Sequence, residues 1–426
     1  MKSALVALAV AACTAWGQNS SVPKLHGTLT DRALSEQLVH ARTDDRIQAY
    51  EQLLAASPDD LRLQSGLISA YLQKLRESAD YTYLDRASKL ADRMLEQDPG
   101  NFAALRFQNE IDLQRHDFKA VAERAQAITK YAPSDSGNWG NLGDALMELG
   151  EYQRAGQAYL KMFALQPNLG SYNRLAYFRF VMGDAQRGIE LMEDAIAAGD
   201  PQPENIAWCW AELGDMYFKT GKLEKAGRAY YAAIDLFPGL HRARAGLGKV
   251  AGAKGDLQTA IKSYKDAQSI VPMVEYASAL ADLYGAAGMP RQAREQEGLI
   301  ETIEKIGKAT NEKTNRNLAL ALADHGEDPG IALILMEAEI PVRGDVYTWD
   351  AFSWVLFKNG RLEEAKGATA KALKLGTPEP LFYYHASKIA IAHGDEKSAR
   401  EYSDRLASLN PRFDIGKMDV SAATMR

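Results

Sequence analysis

Residues 205–238 read NIAWCWAELGDMYFKTGKLEKAGRAYYAAIDLFP, and this stretch decides the fold. Its apolar residues recur at helical spacing on both sides of Gly221, which predicts two helices joined by a tight turn. Pro238 ends the second helix because proline cannot donate a hydrogen bond to the preceding turn. Gly214 and Ala226 are small where the two helices are expected to cross, so the backbones can approach closely.

The same pattern recurs along the chain with a period near 34 residues. Turn glycines stand at Gly150, Gly183, Gly221, Gly255, Gly288, Gly326, Gly360 and Gly394. Prolines follow a parallel series at Pro99, Pro133, Pro167, Pro201, Pro238, Pro272, Pro341, Pro378 and Pro411. A single helix pair buries only one face of each helix, so repeated pairs must stack to form a continuous core. The sequence therefore predicts an all-α solenoid of about ten antiparallel helix pairs.

Position by position, these units resemble the tetratricopeptide repeat family. One unit carries the family's pattern at Trp139, Leu142, Gly143, Leu146, Gly150, Tyr152, Ala155, Tyr159 and Pro167. The resemblance covers roughly residues 44–413 and implies a right-handed superhelix. It weakens at His116, which replaces a turn glycine, and near residues 299–317, where about four extra residues indicate a longer second helix.

The two ends of the chain differ from the repeats. Residues 1–17 carry a short positive start, an apolar run and small residues at Ala15 and Gly17, which is typical of a cleaved secretory signal peptide. Residues 18–43 are expected to be a partly irregular extension, and residues 414–426 a polar tail. The sequence thus indicates an exported protein of bacterial type, periplasmic or secreted. Alternatively, Cys13 ends a lipobox-like tetrapeptide, and its acylation would make a membrane-anchored lipoprotein.

Composition and motifs argue against several function classes. The net charge of −6 is mild, and no basic stripe offers the phosphate neutralisation that nucleic-acid binding requires. The sequence holds no HExxH, CxxC, Walker loop or GxSxG motif, so no catalytic residue, metal or cofactor is predicted. Cys209, flanked by two tryptophans, is interpreted as a small buried residue.

The remaining candidates lie on the predicted inner surface. In the resembling family, ligands contact first-helix residues that lie outside the packing pattern. Carried over to this chain, the hypothetical partner-binding residues are Asn173, Tyr177, Phe180, Trp208, Asp215, Phe218, Arg242, Lys249, Trp354 and Tyr384. Aromatic side chains beside a few charges are typical of interface hot spots. The alternative for Phe180 and Phe218 is that they pad the junction between units.

Together these features predict a non-enzymatic scaffold of the cell envelope that binds a peptide or protein partner on its concave face. A second hypothesis is an envelope assembly factor anchored by lipid at Cys13. A third, less favoured hypothesis is a glycan-binding or enzymatic protein, for which spacing alone reveals no constellation of acids and aromatics.

Overall fold

The computed structural model describes residue 38 and residues 41–310 and 315–414, and their regular structure is entirely helical. The first half contains α1 (Thr43–Ala56), α2 (Leu61–Ser78), α3 (Thr82–Gln97), α4 (Phe102–Gln114), α5 (Phe118–Tyr131), α6 (Ser136–Glu148), α7 (Tyr152–Leu165), α8 (Leu169–Val181), α9 (Ala185–Ala198), α10 (Pro203–Lys219) and α11 (Leu223–Leu236). The second half contains α12 (His241–Ala253), α13 (Leu257–Ile270), α14 (Val274–Ala286), α15 (Pro290–Thr310), α16 (Arg316–His325), α17 (Pro329–Glu339), α18 (Val346–Lys358), α19 (Leu362–Ala372), α20 (Pro380–Ala392) and α21 (Glu396–Leu409).

After α1, the helices pack as ten consecutive pairs, from α2–α3 to α20–α21. Each pair is a unit, numbered 1 to 10 in chain order, and each unit also packs against the next. The predicted solenoid of about ten helix pairs is thereby confirmed.

The turn inside each unit needs a left-handed residue. All but one of the eight series glycines have positive φ, between 70° and 89°, a region that glycine enters without steric cost. His116 takes the same role in unit 2 with φ 60°, so the substitution of glycine noted in the sequence leaves the turn intact. Gly326 is the exception, because its φ of −76° ends α16 in an extended conformation.

The small residues predicted at the helix crossing make room for a tyrosine ring. A Cβ on Gly214 would lie 2.6 Å from the ring of Tyr230, whose hydroxyl donates to Asp215 at 2.7 Å. Unit 3 repeats the arrangement. The Tyr159 ring packs on Gly143, and the Tyr159 hydroxyl donates to Asp144 at 2.9 Å. The same packing of glycine, aspartate and tyrosine therefore occurs in both units.

Helix α15 is longer than the other second helices and ends at Thr310, as the extra residues predicted. None of the described helices combines the length and the apolarity that crossing a bilayer would require.

The solenoid closes on itself through contacts that we call the seam. Three hydrogen bonds define it. They join the turn of unit 3 to the segment before unit 9, the turn of unit 4 to the segment before unit 10, and the turn of unit 5 to the segment after unit 10. The Gly344 amide donates to the Glu148 carbonyl at 2.9 Å. The Thr377 hydroxyl donates to the Val181 carbonyl at 2.6 Å. The Asn410 side-chain amide donates to the Phe218 carbonyl at 2.8 Å.

Because of this closure, units 3 to 5 share one apolar core with the beginnings of units 9 and 10. Val346 and Phe382 belong to the same buried cluster as Leu213 and Phe218. The first helices thus surround a central space, which we call the lumen. Residues of units 3 to 5 therefore contact the chain's own later units.

Candidate functional site: a cavity in the lumen

A cavity of about 360 Å³ lies in the lumen beside the seam. The first helix of every unit from 5 to 10 contributes to its wall. Charged wall residues are Lys219, Lys249, Asp282, Arg316, Asp350, Glu379 and Asp414, and aromatic ones are Phe218, Tyr264, Tyr347, Phe382 and Phe413. Cavities that bind small ligands or side chains have about 300–1,000 Å³ and combine apolar walls with a few placed polar groups. This cavity has both properties.

Beside the cavity, Asp215 accepts three hydrogen bonds, one of them from the wall residue Lys249. Tyr230 donates at 2.7 Å, Arg242 at 2.9 Å and Lys249 at 3.0 Å. Burial opposes the charge of Asp215, but the Lys249 and Arg242 cations outweigh it and lower the pKa of this carboxyl group. Arg242 also pairs with Glu212 and lies 5.5 Å from the ring of Trp208. The cluster is therefore held rigid by its own ion pairs.

A second ion pair crosses from unit 5 to unit 10. The Lys219 ammonium lies 2.8 Å from a carboxylate oxygen of Glu379, and the two side chains are 23% and 12% exposed. Burial lowers the pKa of Lys219, yet Glu379 and Asp215 raise it more strongly, and the net pKa lies above its ordinary value. Lys219 therefore remains charged inside the lumen and links two turns of the superhelix.

The third cation, Arg316, is oriented by unit 9. Its guanidinium donates to Asp345 at 3.1 Å and to the Thr348 hydroxyl at 3.1 Å. Nearby, burial raises the pKa of the Tyr347 hydroxyl to about 12, against the opposing effect of Lys219. Tyr347 is thus a neutral phenol at physiological pH.

Units 9 and 10 bring Trp354 and Tyr384 together, with ring centroids 5.9 Å apart. Trp354 is buried, and its indole N–H donates to Asp324 at 2.8 Å. His385 stacks on Trp354 at 4.2 Å, and its Nδ1 lies 3.0 Å from Asp350, which lines the cavity. These aromatics support the cavity wall from behind.

The candidates on units 4 and 5 occupy different positions. Phe180 and Phe218 are buried, 2% and 5% exposed, and both pack in the shared core. Only Phe218 also lines the cavity. Tyr177 is half-buried against the same core, and the Asn173 amide lies 3.8 Å from the Cys209 sulfur. Burial raises the pKa of the Cys209 thiol to about 12, so it is protonated at neutral pH.

Several wall residues were not singled out from the sequence, notably Lys219, Arg316, Glu379 and Phe413. In single units they are ordinary polar or terminal positions, and only closure of the solenoid brings them together. The predicted signal peptide, residues 1–17, and the alternative lipidation site, Cys13, lie outside the described residues. Within residues 41–310 and 315–414, no group of three or more His, Cys, Asp or Glu side chains is arranged to hold a metal ion.

A family model for the tetratricopeptide repeat matches residues 111–168 and 174–241, which run from the first helix of unit 2 to the first residue of unit 6. A curated protein from Arabidopsis thaliana, described as Protein CTR9 homolog, is 23% identical over 284 residues. That alignment covers 56% of this chain and only 25% of the relative, so the chain corresponds to about a quarter of that protein's length.

Two solved structures of other proteins resemble this chain. A chain of the APC/C hetero-tetramer Cut9–Hcn1 superimposes with a TM-score of 0.50 at 16% identity, covering 77% of this chain and 65% of that one. PilW, described as a widely conserved type IV pilus biogenesis factor, gives a TM-score of 0.41 at 16% identity over 46% of this chain and 90% of its own. The first likeness supports the fold alone. Residues 111–168 and 174–241 match the tetratricopeptide repeat, and the described residues form a tetratricopeptide-like helical solenoid.

Proposed function

We propose that the protein is a non-enzymatic interaction scaffold of the cell envelope, and that it binds a short segment of a partner protein in the lumen cavity. The observation that carries the proposal is the cavity itself, with walls from six units. Tetratricopeptide-like solenoids generally serve as scaffolds for protein partners, which favours binding over catalysis. This proposal places the predicted concave-face binding site in the lumen cavity.

The chemistry of the walls favours a peptide segment over a purely apolar ligand. Phe218, Leu283 and Phe382 offer apolar surface, while Lys219 and Arg316 offer hydrogen-bond donors. Both cations are held by acids, so their geometry is set before a ligand arrives. A preformed wall reduces the ordering entropy that opposes association.

Ala279 gives a direct test, because it is half-buried and lines the cavity. Ala279→Leu places three further carbon atoms in the ligand's space. We expect it to weaken binding of peptides selected by the wild-type protein from a displayed random library by about thirty-fold, which corresponds to the loss of one hot-spot contact of about 2 kcal/mol. Isothermal titration calorimetry measures the affinities.

Ala286→Leu is the matched control, since Ala286 lies on the same helix and is exposed. It should leave both peptide affinity and melting temperature unchanged. If peptides bind the Ala279→Leu and wild-type proteins equally well, or if the library yields no binder, the cavity is not the binding site.

Export is the second part of the proposal and rests on the pattern of residues 1–17. We expect the mature protein in its own cells to begin at Gln18, because Ala15 and Gly17 are the small residues that a signal peptidase requires. N-terminal sequencing or intact mass spectrometry measures this. Acyl chains on Cys13 would instead support the lipid-anchored alternative, and an intact Met1 would contradict export by either route.

A further inference from the structure

The last described residues, 410–414, form a short strap across the cavity. Asn410 is 2% exposed and fixes the strap to unit 5 through its hydrogen bond to the Phe218 carbonyl. Pro411 and Arg412 are exposed, whereas Phe413 and Asp414 turn inward and line the cavity. The strap therefore leaves unit 10, contacts unit 5 and continues across the lumen.

Two observations define where the inward part of the strap lies. The ring of Phe413 lies 6.0 Å from that of Tyr384 in unit 10. Asp414 and Tyr264 of unit 6 both line the cavity, where burial and the negative charge of Asp414 raise the pKa of the Tyr264 hydroxyl. An aromatic side chain and the carboxylate after it thus already occupy part of the site.

Past Asn410, the side chains of the strap are more exposed than those of the cavity wall. The hydrogen bond from Asn410 to the Phe218 carbonyl fixes the start of the strap. Beyond it, the half-buried Phe413 ring packs against the shared core. By contrast, Phe218 and Phe382 on the cavity wall are at most 5% exposed and belong to the continuous core. A segment with few buried contacts opens at low free-energy cost, while the wall stays in place.

We propose that the strap is an intramolecular occupant of the lumen cavity, and that a partner segment carrying an aromatic residue followed by a carboxylate displaces it. This inference rests on the proposed function and adds its regulation and ligand chemistry. The partner segment would place its aromatic ring against Tyr384 and its carboxylate toward Tyr264. While the strap is closed, the apparent affinity for the partner falls in proportion to the open fraction.

The test uses the full chain and a labelled synthetic peptide with the sequence of residues 409–414, LNPRFD. Phe413→Ala removes the occupying ring, so the peptide should bind this variant about ten-fold or more tightly than the wild type, as expected for a strap closed about nine-tenths of the time. Fluorescence anisotropy measures the affinity. Asn410→Ala releases the strap at its other contact and should act in the same direction. Arg412→Ala, in the exposed part of the strap, should bind as weakly as the wild type.

Adding Ala279→Leu to Phe413→Ala should abolish peptide binding if the peptide enters the cavity. Equal affinity for wild type and Phe413→Ala would overturn the strap proposal, as would binding that survives Ala279→Leu. If Ala279→Leu still weakens the binding of library-selected peptides but Phe413→Ala does not increase their affinity, only the strap proposal is wrong. If LNPRFD binds in trans while no library peptide binds in the cavity, the proposed function is wrong.

Discussion

Gly150→Ala is expected to lower the free energy of unfolding by about 2–5 kcal/mol. Two penalties add at this position. The backbone φ of 76° strains any residue with a Cβ, at a cost of about 1–2 kcal/mol. The added Cβ would also lie 2.5 Å from the carbonyl oxygen of Gly344 across the seam, and a backbone atom cannot move aside as a side-chain end can.

Gly360→Ala separates the two penalties. Gly360 has nearly the same φ, 73°, but a Cβ there meets nothing within 4 Å. We expect this control to show only the strain of about 1–2 kcal/mol, measured by urea denaturation with circular dichroism. Small-angle X-ray scattering should show a larger radius of gyration for Gly150→Ala alone, because the seam opens. Equal losses in the two variants would mean that the seam contributes nothing in solution.

Lys219→Met is expected to cost about 3–5 kcal/mol, the range found when one partner of a buried ion pair is removed. The change leaves the Glu379 carboxylate, 12% exposed, without the cation that lies 2.8 Å away. Thermal and urea denaturation measure the loss. The double variant Lys219→Met/Glu379→Gln should recover most of it, because no charge is then left uncompensated.

Lys254→Met is the matched control for this ion pair. Lys254 also lies 2.8 Å from a carboxylate oxygen, that of Glu224, but these side chains are 43% and 77% exposed. Water screens such a pair, so its loss should cost at most about 1 kcal/mol. If the two lysine variants lose the same stability, burial in the lumen is not what makes the Lys219 pair strong.

Both large effects arise from the same structural event, the closure of one superhelical turn upon the next. The closing contacts involve the backbone of turn segments, which every helix pair needs whether or not the solenoid closes. Closure converts part of the inner face into a core, and the lumen cavity lies beside that core. The proposed binding function therefore depends on the stability of the seam.

The sequence by itself predicted the helix pairs and their stacking, which depend on contacts within a unit and with the next one. The spacing of Trp210, Gly221 and Pro238 predicted one helix pair, and repetition of that spacing predicted ten. The small residues at Gly214 and Ala226 correctly marked the helix crossing, because a missing side chain is visible in the pattern of one unit. These interactions are local, so a period of about 34 residues contains them.

Tertiary structure alone decided the site. Gly150 and Gly344 are nearly two hundred residues apart, and their meeting depends on small rotations summed over six units, which no single repeat records. Asp215, Arg242 and Lys249, predicted to face a partner, also pair with one another between the adjacent units 5 and 6. Because of those summed rotations Phe180 lies in a core that it shares with units 9 and 10, and Lys219 with Glu379 became part of the cavity only when the solenoid closed.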